Sequence, residues 1–448
     1  MPAERHKEIA LPVLVGVLFY LSFSKYDLWF LIPFALFILA LLRSHLSWFL
    51  AGLFSVLPSL FWIRIAMVDY GGVSVPVALL LILLLSLFIT LYQFSGTYLL
   101  WRTFGFRTAL LPLIWTLFEV LRSHLPYGGF PWLLVGEHVV NIPLLRYYLT
   151  AGGVYLGSLI LWYLSLSPLI LRERRGTLLF FVVLLIPLPF VKRESHLPPK
   201  DIKVALVQTN VPEEVKLRKD LFRREVPRIW RLVEEARRER PDLILLPESA
   251  LPFFAGDLYE EGEKLLDVSK ESAVVVGLVD VRVRNGNLEP HNSVFLIYGG
   301  EVIDFYDKVR LLPFGEYVPF PFGFVKGLFG AIGGIDYRPG DVLDCLEAEG
   351  FRIATPICFE VSYYTLVRKL SECADLIAVL TNDGWFRDSD GTFQHLRQAR
   401  VRAVETRRYL LWVNNTGPSA VISPDGKVLK EIPYGEEGVI FYRIKSRP

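Results

Sequence analysis

The sequence predicts a multi-span α-helical membrane domain followed by a layered α/β domain. The hydrophobic fraction of 52% and the mean hydropathy of +0.39 are higher than in ordinary soluble proteins. Long apolar runs are confined to residues 1–195, whereas most charged residues follow them. Over residues 200–448, short runs rich in Val, Ile and Leu alternate with amphipathic helical patterns, as in sheets whose faces are covered.

Seven apolar segments in the first part are candidate membrane helices. Several approach the roughly 20 residues that a bilayer-spanning helix needs. The first lacks a small-residue cleavage site and is followed at once by another apolar segment, so we expect it to stay in the mature protein. The segments are Ile9–Phe23, Asp27–Leu42, Leu46–Met67, Val73–Trp101, Ala109–Leu121, Tyr147–Leu171 and Thr177–Val191.

Lys and Arg residues in the short connections indicate how these segments are oriented. A cytoplasmic N-terminus places eight of these basic residues on the inner side and four on the outer side, in keeping with the positive-inside rule. With seven spans, the residues after Val191 then lie on the outer side of the membrane. In a bacterium with two membranes, this compartment is the periplasm. The net charge of +2 gives no indication of nucleic-acid binding.

One outer connection, residues 123–146, is too apolar for an ordinary loop and too interrupted by Gly and Pro for a membrane helix. We interpret it as an arm in the membrane interface, with Phe130 and Trp132 at headgroup depth. A re-entrant loop packed among helices explains the composition equally well.

Three reactive side chains stand just past runs that predict strands. Glu248, Lys308 and Cys358 can therefore meet at one edge of a sheet. Each has an ordinary structural alternative: a helix N-cap, a surface lysine and a small buried side chain, respectively. Together they suit acyl transfer, because a carboxylate can deprotonate a thiol and an ammonium can stabilise the oxyanion that forms. Cys345 and Cys373 are interpreted as structural, and their spacing predicts no disulfide.

The sequence around these residues resembles the carbon-nitrogen hydrolase (nitrilase) superfamily, whose Glu-Lys-Cys triad matches Glu248, Lys308 and Cys358. The matching strings are LILLPES, YDKVRLLPFGEYVP and FRIATPICFE. The whole chain, which adds a multi-span front and the string GGFPW, resembles the apolipoprotein N-acyltransferase family. The resemblance implies a four-layer αββα sandwich in the periplasm with its site facing the bilayer.

The resemblance also implies a reaction. Cys358 takes a fatty acyl chain from a phospholipid as a thioester, with Glu248 as general base and Lys308 at the oxyanion. The α-amino group of the N-terminal diacylglyceryl-cysteine of an apolipoprotein then receives the chain, which is the last step of bacterial lipoprotein maturation. The implied partners are the phospholipid, the apolipoprotein and the bilayer, and no metal or cofactor is expected.

Further residues match the family site. Glu316 and Glu360 are expected to hold Lys308 and the incoming amine. Four other positions are expected to bind substrate or support the site: Asn292, Phe359, Asn382 and Trp385. Asn292 and Asn382 could equally be turn residues that make local backbone bonds. His395 is expected to be structural.

The segment 319–335 is rich in Phe and Gly, and we expect it to be a mobile lid that keeps water from the thioester. Phe324 and Phe329 would lie in the membrane interface. Replacement of both by Asp should abolish acylation without unfolding the protein.

Three features depart from the family pattern. Phe359 stands where a tyrosine is expected and Leu217 where a tryptophan is expected, which leaves their effect on the rate open. The residues after Tyr434 contain no apolar run for the last membrane helix that the family usually has. We therefore expect seven spans and an outer C-terminus.

Two other functions remain open from the sequence. A membrane-tethered amidase or nitrilase that acts on a small amide would use the same triad. A non-enzymatic transporter or scaffold would leave the triad unexplained, and ionisable residues within the predicted spans are almost absent apart from Glu119.

Overall fold

The computed structural model describes residues 2–320, 323, 336–348 and 350–446. The chain forms two compact units. The first, called the helical unit, comprises Met1–Arg64, Ser74–Arg193 and Ser389–Arg397. The second, called the α/β unit, comprises Ile65–Val73, Glu194–Asp388 and Gln398–Pro448.

The helical unit contains helices α1 to α9, and each of the seven apolar segments overlaps one of them. The continuous helix Val75–Thr103, made of α4, a π-helical turn and α5, is the one described helix that is long and apolar enough to cross a bilayer. The helices are α1 Pro2–Phe23, α2 Ile32–Leu41, α3 His45–Ser59, α4 Val75–Ile89, α5 Gly96–Thr103, α6 Leu111–Arg122, α7 Leu149–Ser165, α8 Ser167–Ile170 and α9 Arg174–Leu185.

Within the segment 123–146, residues 131–140 are buried in the helical unit, whereas Leu125, Tyr127 and Leu144 are exposed. The expected position of Trp132 at headgroup depth does not fit its burial, and the interfacial arm stays a prediction. Trp132 is fully buried, and its indole N–H donates to Gln394 Oε1 at 2.6 Å. The Arg122 guanidinium, at the end of α6, donates to the carbonyls of Phe130 at 2.9 Å and Trp132 at 2.7 Å. These bonds satisfy irregular backbone that would otherwise be buried without partners. The buried part, residues 131–140, is consistent with the alternative of a packed loop.

The α/β unit contains two six-stranded sheets. The first has the strand order β12-β1-β2-β3-β4-β5 and the second β11-β10-β9-β8-β7-β6. The strands are β1 Ile202–Gln208, β2 Leu243–Leu245, β3 Ala273–Arg284, β4 Asn287–Tyr298, β5 Glu301–Asp307, β6 Leu346–Ala348, β7 Phe351–Ala354, β8 Leu376–Thr381, β9 Leu410–Asn414, β10 Ser419–Ile422, β11 Val428–Ile432 and β12 Gly438–Ile444.

Pairing explains the uninterrupted apolar runs in this half. The strands β1, β2 and β3 pair in parallel, as do β7, β8 and β9. These strands are almost wholly buried apart from Arg352 of β7 and the outer half of β3. The strands at and near the sheet edges pair antiparallel, including β12, which lies beside β1. The helices of this unit are α10 Glu213–Lys216, α11 Lys219–Arg238, α12 Leu258–Glu261, α13 Glu263–Val268 and α14 Tyr364–Leu370. Helix α15, Asp390–Thr406, belongs to the helical unit up to Arg397 and to the α/β unit from Gln398.

The apolar face of α11 packs on one face of the first sheet. Ile229 and Val233 of α11 share a fully buried cluster with Val274 and Val276 of β3. Burial of each such side chain contributes roughly 1.5–3 kcal/mol. The even-numbered side chains of β3 therefore form the helix-facing core, which leaves the odd-numbered ones on the opposite face.

Cys345 and Cys373 form a disulfide, so the expectation of no disulfide is wrong. The two residues are 28 positions apart, and their Cα atoms lie 6.0 Å from each other. The disulfide forms because tertiary packing brings the residue before β6 close to the residues after α14. Sequence spacing alone does not reveal this contact.

Candidate active site

Glu248 lies on a turn that follows the buried strand β2, and only 8% of its surface is exposed. The turn presses against β3 at Gly277, where an added Cβ would come within 2.7 Å of Glu248 Cα. Glycine is therefore required at this close approach. On its other side, the Lys216 ammonium donates to the main-chain carbonyl of Glu248 at 3.3 Å.

Lys308 immediately follows β5 and is 2% exposed. Its ammonium donates to Glu316 Oε1 at 2.9 Å and lies 3.9 Å from Glu248 Oε1. The Asn292 amide nitrogen donates to the same two oxygens, at 2.7 Å for Glu248 and 3.0 Å for Glu316. One ammonium and one amide thus hold the two carboxylates together, which offsets their mutual repulsion in a buried site.

Cys358 begins the 3₁₀ turn Cys358–Ser362 after β7 and has a left-handed φ of 49°. A non-glycine residue in this region is strained, and such strain is common at functional sites. Cys358 is half-buried and lies outside the disulfide. Its side chain also interacts with the Thr381 hydroxyl at the end of β8.

Glu360 joins the turn that carries Cys358 to the segment that carries Lys308. Its carboxylate accepts hydrogen bonds from the backbone N–H groups of Ile357, Val309 and Arg310, each at 2.8 Å. The Tyr306 hydroxyl adds contacts at 3.1 and 3.2 Å. Glu360 is fully buried, so these donors replace the water it has lost.

The charges of the site act on one another. Burial raises the pKa of Cys358 well above its usual value; the Glu248 charge adds to this effect and the Lys308 charge opposes it. Burial alone would lower the pKa of Lys308, but the charges of Glu316, Cys358 and Glu248 outweigh it and raise that pKa. The resting thiol is therefore neutral and needs a base before it can attack.

Asn382 and Trp385, two further predicted residues, contact residues other than Glu248, Lys308 and Cys358. Asn382 donates to Glu213 Oε2 at 2.7 Å and accepts from Asn415, which places it in a polar cluster with Glu213 of α10. Trp385 packs edge-on against Tyr70, with ring centroids 5.6 Å apart.

Phe359 is buried edge-on against Tyr363, and Leu217 is 43% exposed. Phe324 and Phe329 lie outside the described residues, so the lid remains a prediction. His395 is buried within the helical unit, where its ring packs against Trp132.

Sequence reasoning missed two residues of the site, Lys216 and Tyr306. Tyr306 lies two positions before Lys308 in the β5 segment, so the period of two along a strand could have placed both on one face. Nothing in the sequence brings Lys216 close to Glu248, because the two meet only through tertiary packing. Within the described residues, no group of three or more His, Cys, Asp and Glu side chains could hold a metal ion.

Comparison with known proteins identifies the family. A family model described as the apolipoprotein N-acyltransferase N-terminal domain matches residues 15–167, and a carbon-nitrogen hydrolase model matches residues 203–447. The apolipoprotein N-acyltransferase of Aquifex aeolicus is 46% identical over 99% of this chain and 100% of its own length. The chain belongs to the apolipoprotein N-acyltransferase family.

More distant members of this family align over nearly the same length. The apolipoprotein N-acyltransferase of Azotobacter vinelandii is 31% identical over 96% of this chain and 88% of its own length. That of Pseudomonas paraeruginosa is 30% identical over the same shares. The predicted nitrilase-like α/β fold is confirmed for the second half, and the family together with the apolar helix Val75–Thr103 indicates a membrane-associated protein.

Proposed function

We propose that this chain transfers a fatty acyl group from a phospholipid, through a thioester on Cys358, to the α-amino group of an apolipoprotein's N-terminal diacylglyceryl-cysteine. Family membership supports the reaction. The residue assignment is supported by the bonded cluster of Glu248, Asn292, Glu316 and Lys308. The charges of Glu248 and Lys308 act on Cys358, the one cysteine outside the disulfide.

In the first half-reaction, Glu248 accepts the thiol proton and the Cys358 sulfur attacks the ester carbonyl. The carbonyl oxygen becomes an oxyanion opposite the Lys308 ammonium, which the surrounding carboxylates keep protonated. When the tetrahedral intermediate collapses, the ester C–O bond breaks and the lysophospholipid leaves with the proton that Glu248 held. The acyl group remains on sulfur.

In the second half-reaction, the α-amine attacks the thioester carbonyl and gives a proton to Glu248. The C–S bond then breaks, the amide is released, and the Cys358 thiolate recovers the proton from Glu248. Because Cys358 has a raised pKa, the free enzyme returns to the neutral thiol.

The test is intact mass spectrometry of the purified protein. Incubation with phospholipid should add one acyl mass, and addition of a diacylated lipopeptide should remove it and acylate the peptide. Cys358→Ala should show no adduct. Amine release from soluble small amides without phospholipid would instead favour the amidase. A Cys358→Ser protein with full function in cells would favour a transporter or scaffold.

We further propose seven spans with the α/β unit in the periplasm. The distribution of Lys and Arg supports this orientation. The Cys345–Cys373 disulfide adds support, since disulfides persist in oxidising compartments such as the periplasm. A reporter fused after Pro448 that is active only in the cytoplasm would overturn the topology. The proposed lid over residues 319–335 is tested by Phe324→Asp with Phe329→Asp, and unchanged acylation would refute it.

A further inference from the structure

The hairpin of β3 and β4 has two unlike faces where it extends beyond the core. Opposite residues of an antiparallel pair point to the same face, and successive pairs alternate between the faces. One face carries only charged and polar pairs, namely Asp280–His291, Arg282–Glu289 and Arg284–Asn287. The other face carries apolar side chains beyond Asn292, namely Val279, Val281, Pro290, Val283 and Leu288. These five residues are called the hairpin strip.

The hairpin strip begins at the candidate active site. Val279 pairs with Asn292, whose amide donates to Glu248 Oε1 and Glu316 Oε1. Val281 and Pro290 form the next pair on the same face, and Val283 and Leu288 the last. Leu288 lies four positions from Asn292 along β4, a distance of roughly 14 Å at 3.4 Å per residue.

Exposure increases along the hairpin strip. Val279, Val281 and Pro290 are half-buried, whereas Val283 is 73% exposed and Leu288 is 72% exposed. On the opposite face the charged side chains pair with one another: the Arg282 guanidinium donates to the Asp280 carboxylate at 2.6 Å and to the Asp307 carboxylate at 2.7 and 2.9 Å. One face of the hairpin thus suits water, and the other suits an apolar occupant.

We propose that the hairpin strip binds the fatty acyl chain of the phospholipid donor and guides its ester end to the site. This inference rests on the proposed function and adds a binding surface to it. A fatty acyl chain fits because it has no hydrogen-bonding groups, as the side chains of the strip have none. It also fits because the strip starts at Asn292, which bonds to the general base Glu248 and to Glu316, and continues in one direction away from them.

The experiment compares two donors on the full-length protein in detergent. The first is dipalmitoyl phosphatidylethanolamine in mixed micelles, and the second is p-nitrophenyl butyrate, whose acyl chain is too short to reach the hairpin tip. The variant is Val283→Asp combined with Leu288→Asp. We expect its rate of Cys358 adduct formation to fall by about tenfold or more with the palmitoyl donor and to stay within about twofold with the butyryl donor.

Arg284→Asp is the matched control, because it places the same carboxylate on the opposite face of the same tip. It should leave both rates unchanged, and all variants should keep the unmodified protein's melting temperature. Equal losses with both donors, no loss with either, or the same palmitoyl-selective loss in Arg284→Asp would each overturn the hairpin strip as an acyl site. If the unmodified protein forms no adduct with either donor, the proposed function fails and the strip with it.

Discussion

Glu316→Gln tests whether the ion pair with Lys308 organises the site. The substitution preserves shape and an oxygen that can accept from Leu312 N, which now donates to Glu316 Oε2 at 2.7 Å. It removes the negative charge 2.9 Å from the Lys308 ammonium, and both side chains are almost buried. We expect Lys308 to move toward Glu248, now 3.9 Å away, and to occupy the carboxylate that should deprotonate Cys358.

The structure sets the size of the effect. Breaking a buried ion pair costs about 3–5 kcal/mol. Shortening the contact with Glu248 from 3.9 Å to normal ion-pair length returns about 1–2 kcal/mol at an effective dielectric constant near 20. The net loss is about 1–4 kcal/mol, and its midpoint of about 2.5 kcal/mol corresponds to a rate roughly 70-fold lower if the loss falls on the transition state.

The assay is the single-turnover rate of acyl adduct formation on Cys358, measured by intact mass with a phospholipid donor. Glu347→Gln is the control, since it breaks the exposed pair with Arg352, whose contribution is within about 1 kcal/mol. A Glu316→Gln protein that acylates at the rate of the unmodified protein, with the same melting temperature, would refute the reasoning. An equal loss in Glu347→Gln would do the same.

Three further predictions concern Glu360, the Cys345–Cys373 disulfide and Lys216. Burial raises the pKa of Glu360 from its usual value of 4.5 to about 7. The protonated Glu360 side chain therefore stabilises the fold fully below pH 4.5, and this stabilisation falls by about 3 kcal/mol as the pH rises through 7. Glu360→Gln should remove this slope from urea midpoints measured between pH 4 and 8, and an unchanged slope would contradict the assignment. Replacing Cys345 and Cys373 by Ala should lower the free energy of unfolding by about 3.5 kcal/mol, because the disulfide closes a loop of 28 residues; a change below about 1 kcal/mol in denaturant titrations would contradict this. Lys216→Met should slow acylation about tenfold, since the Glu248 carbonyl loses a charged donor, and Lys219→Met on the exposed start of α11 should not; equal rates in the two variants would exclude a role for Lys216.

Local patterns in the sequence predicted much of the architecture. Apolar length predicts where the helices of the first half lie, and short buried runs predict the parallel strands of the second. Glu248, Lys308 and Cys358 could be selected because each follows such a run. The prediction that they meet at one edge of a single sheet is wrong, because β2 and β5 belong to the first sheet and β7 belongs to the second.

Contacts between distant residues were decided only by the tertiary structure. The bridge that Asn292 makes between two glutamates, the bonds of Glu360 to the Lys308 segment, and the disulfide all join residues whose neighbours in sequence do not identify the partner. The position of Trp132 could not be read from the sequence either, because a tryptophan suits a membrane interface and a protein core equally well. The structure buries this side chain and bonds it to Gln394. Periodicity reports which way a side chain points, whereas a partner is chosen by packing and by the cost of leaving a buried polar group unsatisfied.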